Sequence, residues 1–168
     1  SSDVCSSDLN IMDKYCGDGS GWACNALGML RADNRVQIRS SARDLFLKAC
    51  TLGVATGCAN AATAALDGHH TFQPSAPTPG DYAVVLRTGK SDLPDTSPLA
   101  LYTRACDQGF AEGCQSLGVA YLKGNGAARD PERGRVALER SCSMSYGPGC
   151  SDLGYMFFSG DGVAQDRT

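Results

Sequence analysis

The cysteines are the residues of this 168-residue chain best placed to do chemistry: nine are present, at positions 5, 16, 24, 50, 58, 106, 114, 142 and 150. All but Cys5 fall into four pairs spaced i, i+8. Paired thiols serve two chemistries, oxidation to a disulfide or ligation of a soft metal. Structural zinc favours spacings of about two to four residues between neighbouring ligands, and i, i+8 pairs would have to cluster across repeats, so the pattern favours disulfides. Within one continuous helix the two members would lie about 12 Å apart along the axis, whereas a disulfide needs Cα atoms within roughly 4.4–6.8 Å. The chain must therefore reverse inside each pair. Gly53 and Gly109, three residues after a first cysteine, and Gly57, Gly113 and Gly149, just before a second, supply the turn. The expected bridges are Cys16 with Cys24, Cys50 with Cys58, Cys106 with Cys114, and Cys142 with Cys150. Each would staple one helix end to the next helix start, contributing roughly 2.5 kcal/mol in the chain-entropy account. Such a framework implies an oxidising compartment, and hence a secreted or periplasmic location.

Other chemistry-bearing residues form weaker constellations. His69 and His70 could ligate a metal with Asp67 or Asp81, but adjacent side chains in a helix diverge and the chain has no third histidine. The glycine-rich acidic segments at Asp18 and Asp161 lack calcium-loop spacing, and Gly124-x-Gly126 lacks the preceding strand of a phosphate loop. All three read as turns. Cys5 lies in a stretch, residues 1–9, that repeats Ser-Ser-Asp without apolar periodicity and reads as a leader foreign to the fold. Neither a catalytic residue, a cofactor nor a metal is expected.

The elements that position the cysteines repeat with them. From Cys16 to Cys50 is 34 residues and from Cys106 to Cys142 is 36, a period typical of stacked two-helix repeats. From Cys50 to Cys106 is 56, which marks one insertion. Helical stretches precede each first cysteine (residues 10–16, 42–50, 98–106 and 131–142), with Phe46, Tyr102 and Leu138 at matching apolar positions. Lys14, Lys48, Arg104 and Arg140, two residues before the cysteine, complement the negative end of the helix dipole. After each second cysteine comes another helix, with Gly28, Ala62, Gly118 and Gly154 four residues on, small enough to let a neighbouring helix approach. Gly124, Gly126, Gly160 and Gly162 end these helices, and Asp130 or Asp166 can cap the next. Residues 67–97 hold four of the seven prolines and both histidines and read as an inserted loop, with a candidate hairpin strand at 82–87. The organisation is thus a leader (1–9), repeats (10–66), the insertion (67–97) and further repeats (98–168) that break off where Asp166 would begin another helix.

The residues carrying this pattern, above all Ala105-Cys106, Glu112-Gly113-Cys114, Leu117-Gly118 and Gly160-Asp161-Gly162-Val163, resemble the Sel-one-like repeat family, relatives of the tetratricopeptide repeats. The resemblance is to its cysteine-rich subgroup, typified by the Helicobacter cysteine-rich proteins. Arg31-Ala32-Asp33-Asn34 departs from the aromatic-plus-glycine ending, and Ala61-Ala62 replaces Leu-Gly. The expected fold is all-α: a right-handed α/α solenoid of two-helix repeats, each helix-to-helix turn stapled by an i, i+8 disulfide.

Such stacks produce a concave groove lined by the first helix of each repeat. Counted from the second cysteine, its candidate contact residues are Asn25, Met29, Asn60, Thr63, Gln115, Val119, Asp152 and Tyr155, a set suited to a protein or peptide partner. The subgroup also implies a peptidoglycan fragment or β-lactam as an alternative ligand, with weak β-lactamase activity. The usual serine β-lactamase motifs are absent, however: Thr88-Gly89-Lys90 reverses one, and Ser91-Asp92-Leu93 lacks the asparagine of another. A net charge of -3 argues against nucleic acid, and no apolar run is long enough to span a membrane.

Overall fold

The computed structural model describes residues 6–33, 40–66, 93 and 95–161, with side chains from residue 9 onward. Among them are eight helices and no strand: α1 (Ser6–Gly17), α2 (Gly21–Ala32), α3 (Ala42–Thr51), α4 (Ala55–Thr63), α5 (Pro98–Asp107), α6 (Ala111–Lys123), α7 (Pro131–Ser143) and α8 (Gly147–Ser159). They belong to two compact units, Ser1–Thr96 and Ser97–Thr168.

Starts and stops follow local chemistry. Ser20, Ser97 and Asp130 accept from the backbone N–H three residues on, and Ser41 forms a reciprocal capping box with Asp44. Pro98 and Pro131 occupy the first helical positions, where a missing N–H costs nothing. Gly124 and Gly160 end α6 and α8 in the left-handed region, at φ 73° and 72°.

The four reversals are one motif used four times. The residue three after each first cysteine is left-handed: Gly19, Gly53, Gly109 and, alone without glycine, Ser145 at φ 62°. Its N–H donates to the cysteine carbonyl, and the next N–H donates back five residues, as Val54 to Ala49 and Phe110 to Ala105, both at 3.0 Å. This is a Schellman ending, and its second residue at once becomes the N-cap of the following helix. Val54 and Phe110 are accordingly buried apolar residues with no side-chain cap. The reversal brings the paired Cα atoms to 4.7, 4.5, 4.4 and 4.5 Å, and all four expected bridges are formed.

Small residues then let the stapled helices touch. A Cβ on Gly57 or Gly113 would lie 2.6 or 2.7 Å from Ala49 or Ala105. One on Gly28 would lie 2.6 Å from the Phe46 ring, and one on Gly118 would lie 2.7 Å from Leu138. In the first unit α2 packs between α1 and α3, and α3 carries α4. The second unit repeats the order through α5, α6, α7 and α8, with α6 also touching α8. Phe46, Leu27, Leu101, Leu138 and Met156 are fully buried in these stacks.

Helix α1 reaches back to Ser6, into the stretch that the sequence sets apart, and Leu9 and Met12 pack against the core built from Cys16, Cys24, Leu27 and Leu45. Cys5, Asp67, His69, His70, Asp81, the hairpin strand at 82–87, the 88–92 motifs, Gly162 and Asp166 lie outside the described residues.

Candidate protein-binding face

Helices α2, α4, α6 and α8 each carry the second cysteine of a staple in their first turn, so the staple fixes their rotation and decides which positions share a face. One turn of helix separates residues three or four apart, which puts Glu112, Gln115 and Val119 on one stripe of α6, and Asp152 and Tyr155 on one stripe of α8.

The structure joins four of the eight candidate residues into two cross-helix pairs. In the second unit the Gln115 amide donates from Nε2 to Asp152 Oδ2 at 2.6 Å. In the first, Asn60 Nδ2 donates to Asn25 Oδ1 at 3.0 Å. The positions correspond: one residue after the cysteine in the earlier helix meets two residues after it in the later one. Asn25 is thereby drawn inside, at 7% exposure, and directs its own amide toward Met29 Sδ at 3.9 Å. The Thr63 hydroxyl turns back onto the Ala59 carbonyl at 3.1 Å. Met29 and Val119 are half-buried, and Tyr155 stands out at 70% exposure.

Two further residues belong to this surface. Burial raises the Glu112 carboxyl above its ordinary range. The Tyr146 hydroxyl is also raised, first by burial and then by the negative charges of Glu112 and Asp152, so it lies in the field of both. Neither residue stands out in a single repeat: Glu112 is part of a turn motif, and Tyr146 is the hydrophobic end of a reversal. Only the stacking of α6 against α8 brings them into one cluster.

Cations gather elsewhere in this unit. Arg133 lies near Asp130 at 3.3 Å, Arg140 pairs with Asp107 of α5 at 2.8 Å, Arg129 pairs with Asp161, and Arg135 pairs with both Glu132 and Glu139. The Arg140 pair gives that side chain a role between helices beyond the helix-end charge. A shallow cavity of about 260 Å³ opens there, floored by Leu117 and Tyr121 and flanked by Val136, with the Arg133 guanidinium 5.8 Å from the Tyr121 ring centre. It falls short of the roughly 300–1,000 Å³ usual for small-molecule sites. Among the described residues no three His, Cys, Asp or Glu side chains converge as a metal site, and no helix is long and apolar enough to cross a membrane.

The sequence profile of the Sel1 repeat matches residues 23–54, 99–110, 111–145 and 147–168. A protective antigen of uropathogenic Escherichia coli displaying an SLR fold is 18% identical with a TM-score of 0.70, over 95% of this chain and 30% of that one. A Sel1 repeat protein from Oxalobacter formigenes is 16% identical with a TM-score of 0.61, over 89% and 54%. This chain thus spans about a third and about half of their lengths. No curated protein matches its sequence.

Proposed function

The chain belongs to the Sel1 repeat family, and from that premise we propose that it is a binding scaffold which holds a protein or peptide on the exposed stripes of its stapled first helices. Sel1 repeats generally mediate protein–protein interaction. The observation that carries the reading is the pair of cross-helix bonds, Gln115 to Asp152 and Asn60 to Asn25, which lock neighbouring first helices side by side in both units. A surface locked before binding loses little conformational freedom when a partner arrives. The half-buried Glu112 and Asp152 and the exposed Tyr155 ring offer a polar and aromatic contact set.

The four disulfides support work outside the cytoplasm, in the periplasm or beyond the cell, where such bridges persist. The β-lactam or peptidoglycan-fragment reading draws no support from the described residues, whose shallow cavity brings no serine, base and anion holder together.

The test is a peptide-display selection against the oxidised chain, with the selected peptide carried into binding measurements. Val119→Arg and Tyr155→Ala should each weaken binding at least tenfold, while circular dichroism stays unchanged. Full affinity in both variants would overturn the face, and turnover of a chromogenic β-lactam by the oxidised chain would overturn the scaffold reading.

A further inference from the structure

We infer that the shallow cavity between α5 and α7 is a second docking site, a socket for one large apolar side chain on an acidic segment of a partner protein. It lies across α6 from the stripe of Glu112, Gln115 and Val119. Leu117 is part of its floor, and Leu117 and Val119, two residues apart on one helix, point about 200° apart around the axis. Occupation of one surface therefore leaves the other open.

The walls of the socket are fixed before anything binds. The Cys106–Cys114 staple holds α5 on α6. Gly118 and Gly134 face each other where α6 meets α7: a Cβ on the first would lie 3.1 Å from the Gly134 carbonyl oxygen, and one on the second 3.2 Å from that of Gly118. The Asp130 N–H donates to the Tyr121 carbonyl at 2.9 Å and so ties the start of α7 to the end of α6. Helix α7 runs for 13 residues against 10 in α3 and α5, and the additional turn puts Glu132 and Arg133 on the rim. Counted from the first cysteine, Val136 stands where α3 has Asp44 and α5 has Ala100. Counted from the second, Tyr121 stands where α2 has Arg31. The apolar socket thus belongs to this repeat and is not a by-product of the repeat pattern.

Size and polarity select the occupant. Val136 is 53% exposed, and with Leu117, Tyr121 and Ala137 it makes an apolar centre ringed by charged side chains. That is the arrangement of an interface core with its polar rim, and a cavity of about 260 Å³ suits a single anchoring side chain. The rim sets the sign of the charge beside that anchor. Both carboxylate oxygens of Glu132 are taken by Arg135, and Asp107 accepts from Arg140 at 2.8 Å. Arg133 reaches Asp130 through Nε, at 3.3 Å, and its side chain is 69% exposed. Among the described residues its Nη1 and Nη2 have no acceptor, and these belong to the fork that takes a carboxylate bidentately. The guanidinium already rests 5.8 Å from the Tyr121 ring centre, so a carboxylate next to a seated apolar side chain meets a positioned cation. A basic segment would instead compete with Arg135 or Arg140 for a carboxylate that each already holds.

The experiment titrates the oxidised, isotope-labelled full chain with a synthetic heptapeptide that carries one central leucine among glutamates, at low ionic strength, and follows backbone amides by NMR. The amides of Leu117, Tyr121, Arg133 and Val136 should shift while those of Gln115 and Val119 stay in place. A peptide with serine for the leucine and one with lysines for the glutamates should each bind at least tenfold more weakly. Val136→Asp and Arg133→Gln should weaken the original peptide to the same degree; both side chains are exposed, and an unchanged spectrum away from the cavity checks the fold. Val119→Arg, which tests the first-helix face, should leave this binding intact, so the two sites fail separately. Absence of shifts around the cavity, equal binding of the lysine peptide, or full affinity in either cavity variant overturns the inference.

Discussion

Gln115 and Asp152 are bonded side chain to side chain at 2.6 Å, and 35 residues apart in the other unit Asn60 and Asn25 stand in the same relation. The geometry predicts a coupled pair. In a double-mutant cycle on urea unfolding, Gln115→Ala and Asp152→Ala should couple by about 1 kcal/mol, since a hydrogen bond to a charged group is worth roughly 1.5–3 before exposure weakens it. Strict additivity would show the contact to be incidental.

Close helix approach makes the glycines unequal. Gly113→Ala drives a Cβ to 2.7 Å from Ala105 Cβ and 3.2 Å from the Cys106 backbone, neither of which can swing away. It should cost about 1–3 kcal/mol. Gly154→Ala meets nothing within 4 Å and should stabilise α8 by up to about 1 kcal/mol through helix propensity. Thermal melts of the two variants should move in opposite directions.

Ser145→Gly places the residue suited to φ 62° where the other three reversals already have it. Relief of roughly 1–2 kcal/mol of backbone strain, less the entropy of a freer unfolded glycine, leaves a net gain of about 0.5–1 kcal/mol. The melting temperature should rise, and a fall would show that the Ser145 side chain supplies a compensating contact.

Glu112 gives the fold a pH dependence. Its carboxyl titrates above the ordinary glutamate range because burial disfavours the charge. The stability associated with its neutral form is complete below the unfolded-state value and is lost as pH rises through the higher folded-state value. Glu112→Gln cannot ionise and should keep that stability. Melting temperatures across the acid range should therefore fall less steeply with rising pH in the variant. Parallel curves would remove Glu112 as the cause.

Features confined to one repeat are legible in the sequence. The i, i+8 spacing forces a reversal, Gly53 and Gly109 locate it, and the small residue four places after Cys24 or Cys114 marks where Phe46 or Leu138 packs. Features that depend on two repeats are not. The inward turn of Asn25 follows from Asn60 on the next first helix, and the Glu112–Tyr146–Asp152 cluster exists only because α6 lies against α8. Ser145 escapes notice because its left-handed backbone is imposed by the turn and not favoured by its own chemistry. Leu9 escapes because it stands at the end of a polar stretch, yet its side chain packs on the core.

The short reach of the staples bears on how the chain becomes oxidised. Eight cysteines can be joined in about 105 ways, and a protein that must find one of them usually reshuffles wrong bonds. Here every native partner is eight residues away, closer in sequence than most competitors, and a turn formed within a single helical hairpin presents it. Loop closure favours the nearest thiol, so each hairpin can oxidise correctly as soon as it emerges, before the rest of the chain has been made.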